Sequence, residues 1–281
     1  MAVEELFEEP GPNELYHYTS HEGLIGIVKN KELWASKAIF MNDAAEFRLA
    51  LDLSRAEIAR QSLPPDIGEQ LLADIDDIEH VNVFVASFSE DSDLLSQWRG
   101  YCSPGPGYSV GFRTVDLTER DYLRFYLGKC VYEPVRQEAV VAEIVAHGAN
   151  RRANLGQAQP SRPTLTHARD PLWSMTFQDL LAFVAPLLKH ESFSQEAEWR
   201  LVSRPIPYTN PAFCHRAGRS LLIPYFKFSL ASGDSPVPLA RVIIGPTPHP
   251  SLAKDAVHSL LGGAGVQGCT IEHSRIPFRN W

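Results

Sequence analysis

The sequence predicts an α+β fold: a mixed, largely antiparallel sheet with flanking helices. Three observations predict it. Strand-period and helix-period segments are interleaved without the strict alternation that builds a parallel, doubly wound sheet. No Gly-rich dinucleotide fingerprint or P-loop follows any strand-like stretch. No internal repeat of solenoid length is present.

The elements follow in order. Residues 1–13 read as an acidic N-terminal tail, and 14–281 as one domain. Leu15 to Ser20 is a short aromatic strand ending in a Ser suited to capping a helix. The helix over His21 to Lys29 carries Leu24, Ile27 and Val28 on one side, with Asn30 as its terminator. Glu32 to Ser36 is a second strand. Asn42 or Asp43 then caps a helix reaching about Ser62, which Pro64-Pro65 breaks, and another helix spans Asp66 to about Ile78. Val81 to Ser89 is the clearest strand, followed by an acidic turn and one or two helical turns over Leu94 to Tyr101. After the loop Ser103 to Gly107 come strands at Tyr108 to Phe112 and Leu123 to Tyr132, then a helical stretch from about Pro134. The polar stretch at about 149–170 reads as an exposed insertion. Pro171 opens a helix with Trp173, Phe177, Leu180, Leu181 and Val184 inward. A strand beginning near Glu196 follows, then a polar loop bearing Arg204, His215, Arg216 and Arg219. The chain closes with strands at Leu221 to Phe226, Val242 to Ile244 and Thr270 to Ile276, and a helix over Ser251 to Leu261.

Bulk composition narrows the class. A hydrophobic fraction of 44% and a charged fraction of 21% are those of a globular chain with a sizeable core. A net charge of −8 argues against a surface built for non-specific nucleic-acid binding. The four cysteines, Cys102, Cys130, Cys214 and Cys269, form no CxxC pair, so reduced thiols are expected rather than a zinc or redox site. The acidic start, Met1 to Pro12, lacks the pattern of a signal peptide, and no apolar run reaches the length of a membrane span. The expectation is a cytoplasmic protein with no membrane partner.

One stretch draws the chemistry. From Glu196 the pattern alternates in twos and runs into Trp199 to Val202, so Glu196, Glu198 and Arg200 are expected on one face of a strand. Such a row is either a solvated edge or a site. No HExxH or HxH pair, GxSxG elbow or nucleophilic Cys signature offers a competitor.

The His-Tyr-Thr strand, with the following short helix and Glu32 to Ser36, resembles the opening of ADP-ribosyltransferase-type domains. A wider set is similar to a bacterial family catalogued only as a domain of unknown function. That set comprises the His-Tyr-Thr strand, Met41-Asn42-Asp43 with Glu46, Ser87-Phe88-Ser89, Ser96 to Tyr101, and Glu196-x-Glu198-Trp199-Arg200. The resemblance implies an ADP-ribosyltransferase-like domain acting on NAD as substrate. It would transfer ADP-ribose to a macromolecular acceptor, protein or nucleic acid, or hydrolyse NAD, in a toxin or phage-defence setting with an antitoxin as partner and no metal.

By the same resemblance Glu198, Glu196 and His17 are catalytic, Glu198 stabilising an oxocarbenium-like ribose. The cofactor contacts it implies are His17, Tyr18, Thr19, Ser87, Ser89, Trp98, Arg99, Tyr101 and Arg200, Tyr101 by stacking on nicotinamide. The chain departs from the transferase pattern in lacking a clean Ser-Thr-Ser motif and in placing Tyr18 beside His17. On the residues alone, Trp98 and Trp199 also read as core anchors, and Arg99 and Arg200 as either scaffold or phosphate ligands. Two other classes stay open: a non-catalytic nucleotide- or partner-binding module, and a metal-dependent nuclease or hydrolase.

Overall fold

The structure is a computed structural model that describes residues 2–41, 44–102, 107–118, 125–154, 172–218 and 220–277, with 44–46 as backbone only. The helix cap expected at Asn42 or Asp43, the Glu46 side chain, most of the 103–107 loop, the start of the strand at Leu123, Pro171, Arg219 and most of the polar insertion fall outside that set.

Among the described residues ten strands form one sheet: β1 (Glu14–Thr19), β2 (Glu32–Lys37), β3 (Phe84–Ser89), β4 (Tyr108–Arg113), β5 (Phe125–Lys129), β6 (Glu198–Ser203), β7 (Phe213–Ala217), β8 (Leu222–Ser229), β9 (Arg241–Ile244) and β10 (Thr270–His273). The order is β10-β9-β4-β1-β3-β2-β8-β7, with β6 on β3 and β5 on β6. Every named pairing is antiparallel except β9 with β10. The mixed, largely antiparallel α+β expectation describes this architecture.

Nine helices flank the sheet among the described residues: α1 (Ala2–Glu8), α2 (His21–Asn30), α3 (Ala44–Arg60), α4 (Pro65–Asp76), α5 (Leu95–Tyr101), α6 (Thr114–Thr118), α7 (Pro134–Ala153), α8 (Phe177–Val184) and α9 (Pro250–Gly263). Strand alternation gives the sheet two buried faces. On one, Val85, Tyr126 and Val202 pack with side chains from α1, α3, α4, α7 and α8; on the other, Phe84, Ala86, Phe88, Trp199 and Leu201 pack with those of α2 and α9. None of the described helices is long and apolar enough to cross a membrane.

Several boundaries differ from the sequence reading for physical reasons. The acidic start is a helix rather than a tail, because Val3 and Leu6 bury in the helical core. Ser20 caps α2 as expected, accepting from Gly23 N at 3.2 Å, but Lys31 rather than Asn30 takes the left-handed position after it. Part of the expected arginine loop is the edge strand β7, in which Arg216 donates to Ser36 Oγ. The helix expected from Pro171 begins at Phe177, behind a Thr176 cap.

The pairing of β3 positions the site. One edge of β3 is taken by β6 from Val85 to Ser89. The other is shared: β2 pairs at Phe84 and Val85, and β1 pairs only at Ser89. The sheet therefore forks opposite residues 86–88, and the Ser87 carbonyl is left without a strand partner on that edge.

Candidate functional site

The fork is filled by a side chain. His17 Nδ1 lies 2.9 Å from the Ser87 carbonyl oxygen. A carbonyl only accepts, so Nδ1 carries the proton. Burial pushes the imidazole pKa down, against a smaller opposing effect of that hydrogen bond, so the ring is neutral at pH 7. Nε2 is then a bare acceptor with no partner among the described residues.

Around this ring the chain converges. His17, Ser87 and Glu198 line one cleft together with Tyr16, Tyr18, Phe88, Gln97 and Tyr101. By strand alternation His17 enters from the Phe88 side, whereas Ser87 and Glu198 approach from the face that α5 covers. Ser87 Oγ is buried without a hydrogen-bond partner among the described residues. A buried hydroxyl is ordinarily hydrogen-bonded, to ordered water where no protein group reaches it. The cleft encloses about 30 Å³, space for about one water molecule.

Glu198 opens β6 and is buried, with 3% of its surface exposed. Its Oε1 accepts from Arg200 Nε at 2.8 Å; its Oε2 accepts from Arg200 Nη2 at 2.9 Å and Lys189 Nζ at 2.6 Å. Burial alone would raise its pKa, but the Arg200 and Lys189 charges and hydrogen bonds hold it at about 2. Lys189 is raised in turn: burial opposes its charge most strongly, and Glu198 together with Glu196 more than offsets that. The Glu198 backbone N–H donates to Tyr132 Oη at 3.0 Å. Tyr101 lines the cleft from α5 although 40% of it is exposed. Burial of its hydroxyl, then the Glu198 charge, pushes its pKa up to about 12.

Not every residue named from sequence points into this cleft. Glu196 is not on the strand: it ends a 3-10 turn, and Ala197 takes a left-handed conformation (φ 41°) before β6 begins. It still meets the cluster, because Lys189 Nζ reaches Glu196 Oε2 at 2.6 Å as well. Arg200 serves the cluster too, donating to the Pro186 carbonyl besides Glu198.

The Ser89 hydroxyl is spent on structure, donating to the Glu196 carbonyl and accepting from Asp91 N. The Tyr18 hydroxyl donates to the Asp91 carbonyl and accepts from Leu94 N. The Thr19 side chain packs at the first turn of α2, where a Cβ on Gly23 would fall 1.8 Å from its Oγ1. Trp98 is an anchor: buried, edge-on to Tyr18 and donating to Asp93. Trp199 is likewise buried and donates to Glu90. Arg99 is exposed and is not part of the cleft lining.

Tyr16, Phe88 and Gln97 of the cleft lining, with Lys189 and Tyr132 beside Glu198, lie outside the site residues named from sequence. Lys189 had a signal, standing directly behind the apolar run Ala185 to Leu188 and ahead of Glu191, Glu196 and Glu198. Phe88 and Gln97 lie within motifs that carry the resemblance, whereas Tyr132 had no such signal. Among the described residues, no three His, Cys, Asp or Glu side chains gather as a metal-ligand group.

Residues 97–201 match the model of a family described as a protein of unknown function (DUF2971). No curated protein and no solved structure matches the chain. The likeness is thus to a family without assigned function; it takes in α5 from Gln97 onward, Lys189, Glu198 and Arg200 and leaves out the His17 and Ser87 strands.

Proposed function

We propose that the fork between β1 and β3 is the NAD site of an ADP-ribosyltransferase-like enzyme. It would break the nicotinamide–ribose bond and pass ADP-ribose to a macromolecular acceptor or to water. The observation that carries this reading is the convergence of His17 and Glu198, distant in sequence, on one cleft with Ser87 and Tyr101.

The chemistry suits those groups. The leaving nicotinamide is already cationic and needs no general acid, whereas the oxocarbenium-like ribose needs a fixed anion beside it. Glu198 is such an anion, ionised throughout the physiological range. His17 Nε2 accepts from a ribose hydroxyl, Ser87 Oγ gains the partner it lacks, and Tyr101 offers its ring to nicotinamide. Ligand pockets enclose roughly 300 Å³ or more. The reading therefore requires the part-exposed Tyr101 to swing away from a cleft of about 30 Å³. Incubation of the purified protein with NAD is expected to release nicotinamide, or to transfer labelled ADP-ribose to a lysate. Neither product appearing overturns the proposal.

One observation favours a second reading, a binding module without turnover. The Glu198 carboxylate already has two cationic partners, and its charge is neutralised where it lies. Calorimetry that finds binding of NAD or a related nucleotide, with no nicotinamide released, selects that reading.

A further inference from the structure

We propose that Lys189 is the positioning residue of the cleft, its ammonium fixing the Glu198 carboxylate so that Oε1 keeps its acceptor capacity for a ligand hydroxyl. The substrate in this proposal rests on the NAD reading; the geometry at Glu198 does not.

Lys189 is held on every side. Its backbone N–H donates to the Val131 carbonyl at 3.0 Å, and its own carbonyl accepts from Gln137 Nε2 at 2.8 Å. Gln137 also donates to the Val131 carbonyl at 2.7 Å, clamping both segments with one side chain. The residue is 2% exposed, and its ammonium lies 5.0 Å from the centre of the Phe193 ring. From that fixed point Nζ reaches Glu196 Oε2 and Glu198 Oε2, each at 2.6 Å. Oε2 of Glu198 thus carries two donors and Oε1 one, which leaves Oε1 the oxygen with room for another hydrogen bond. The same ammonium ties the turn before β6 to the strand itself.

Among the described residues, the groups facing Glu198 are Lys189, Arg200 and Glu196, with the hydroxyls of Tyr101 and Tyr132. Removing one of the two cations leaves the buried carboxylate less well held in its charged form.

The test compares wild type, Lys189→Met and Lys189→Arg by NMR titration of the Glu198 side-chain carboxyl. Wild type is expected to stay ionised down to about pH 3. Lys189→Met should raise the midpoint by at least about one unit and Lys189→Arg should restore it. A midpoint unmoved in Lys189→Met, or moved equally in Lys189→Arg, overturns the proposal. If Lys189→Met does not fold, Lys189→Gln carries the same comparison. In the nicotinamide-release assay, Lys189→Met should lower kcat about tenfold or more, with KM little changed. Its acid limb should move to higher pH, and Lys189→Arg should recover both. Absence of release from wild type refutes the NAD reading alone, and the titration still decides the role of Lys189.

Discussion

The two faces of β6 are equally buried and built on opposite principles. Trp199 and Leu201 are 2% and 1% exposed and pack among phenylalanines; Glu198 and Arg200 are 3% and 2% exposed and pack among charges. The apolar face gains from leaving water. The charged face loses hydration, offsets that through ion pairs and hydrogen bonds among Lys189, Glu196, Glu198 and Arg200, and gains little net stability over an apolar replacement. A strand that needed only to hold the sheet together would be apolar on both faces. The difference teaches that the charged face is organised around the position of a carboxylate rather than around stability.

The comparison breaks most visibly when single members are removed. Trp199→Ala is expected to cost about 3–5 kcal/mol through the cavity it leaves. Arg200→Met is expected to cost a similar ~3–5 kcal/mol by leaving the buried charges unbalanced. Urea unfolding of both variants checks this; a cost under about 1 kcal/mol for Arg200→Met would mean that water enters the cluster. Glu198→Gln removes the carboxylate that Lys189 and Arg200 share and so lowers stability whether or not Glu198 is catalytic.

Replacing Lys189, Glu198 and Arg200 together by apolar residues of similar volume should separate the faces further. Stability is expected to be unchanged or to rise by roughly 1–4 kcal/mol, with the proposed activity lost. A large loss of stability would show the charges to be needed by the fold itself.

Acid sharpens the contrast next. The folded-state pKa of Glu198 lies below its ordinary 4.5, at about 2. The folded protein thus binds fewer protons at this group than the unfolded chain. Its contribution is complete above about pH 4.5 and is lost as pH falls toward 2. His17 works in the same direction from a higher pH: its lowered pKa means that stability declines once pH drops below 6.5, where the unfolded imidazole takes up a proton. Urea midpoints measured from pH 7 to pH 3 should fall in two stages, and His17→Gln should remove the first.

The smallest effect is the most specific. Ser87 Oγ has no partner among the described residues, so Ser87→Ala should change stability by less than about 1 kcal/mol. Nucleotide binding measured by calorimetry should weaken all the same. Unchanged affinity would remove Ser87 from the site.

Much of the fold was legible because its elements carry local signals. Ser20 before Leu24, Ile27 and Val28 marks a capped helix, and Pro64-Pro65 marks a break. The pairing of Glu198 with Arg200 followed from the two-residue period of a strand. Glu196 escaped that period because Ala197 bends the chain between the two glutamates, and alanine gives no warning of a left-handed conformation. The fork at β3 depends on which strands share an edge, a non-local property invisible in a single stretch. Lys189 and Gln137 were missed for a related reason: a long polar side chain reads as surface until tertiary contacts bury it.

The measurement that tests the central claim most directly is an NMR titration of the His17 ring nitrogens with NAD. The account predicts a neutral ring with Nδ1 protonated, whose Nε2 resonance shifts on addition of NAD and stays still in Ser87→Ala at the same concentration. A ring indifferent to saturating NAD, or one already protonated at pH 7, would contradict it.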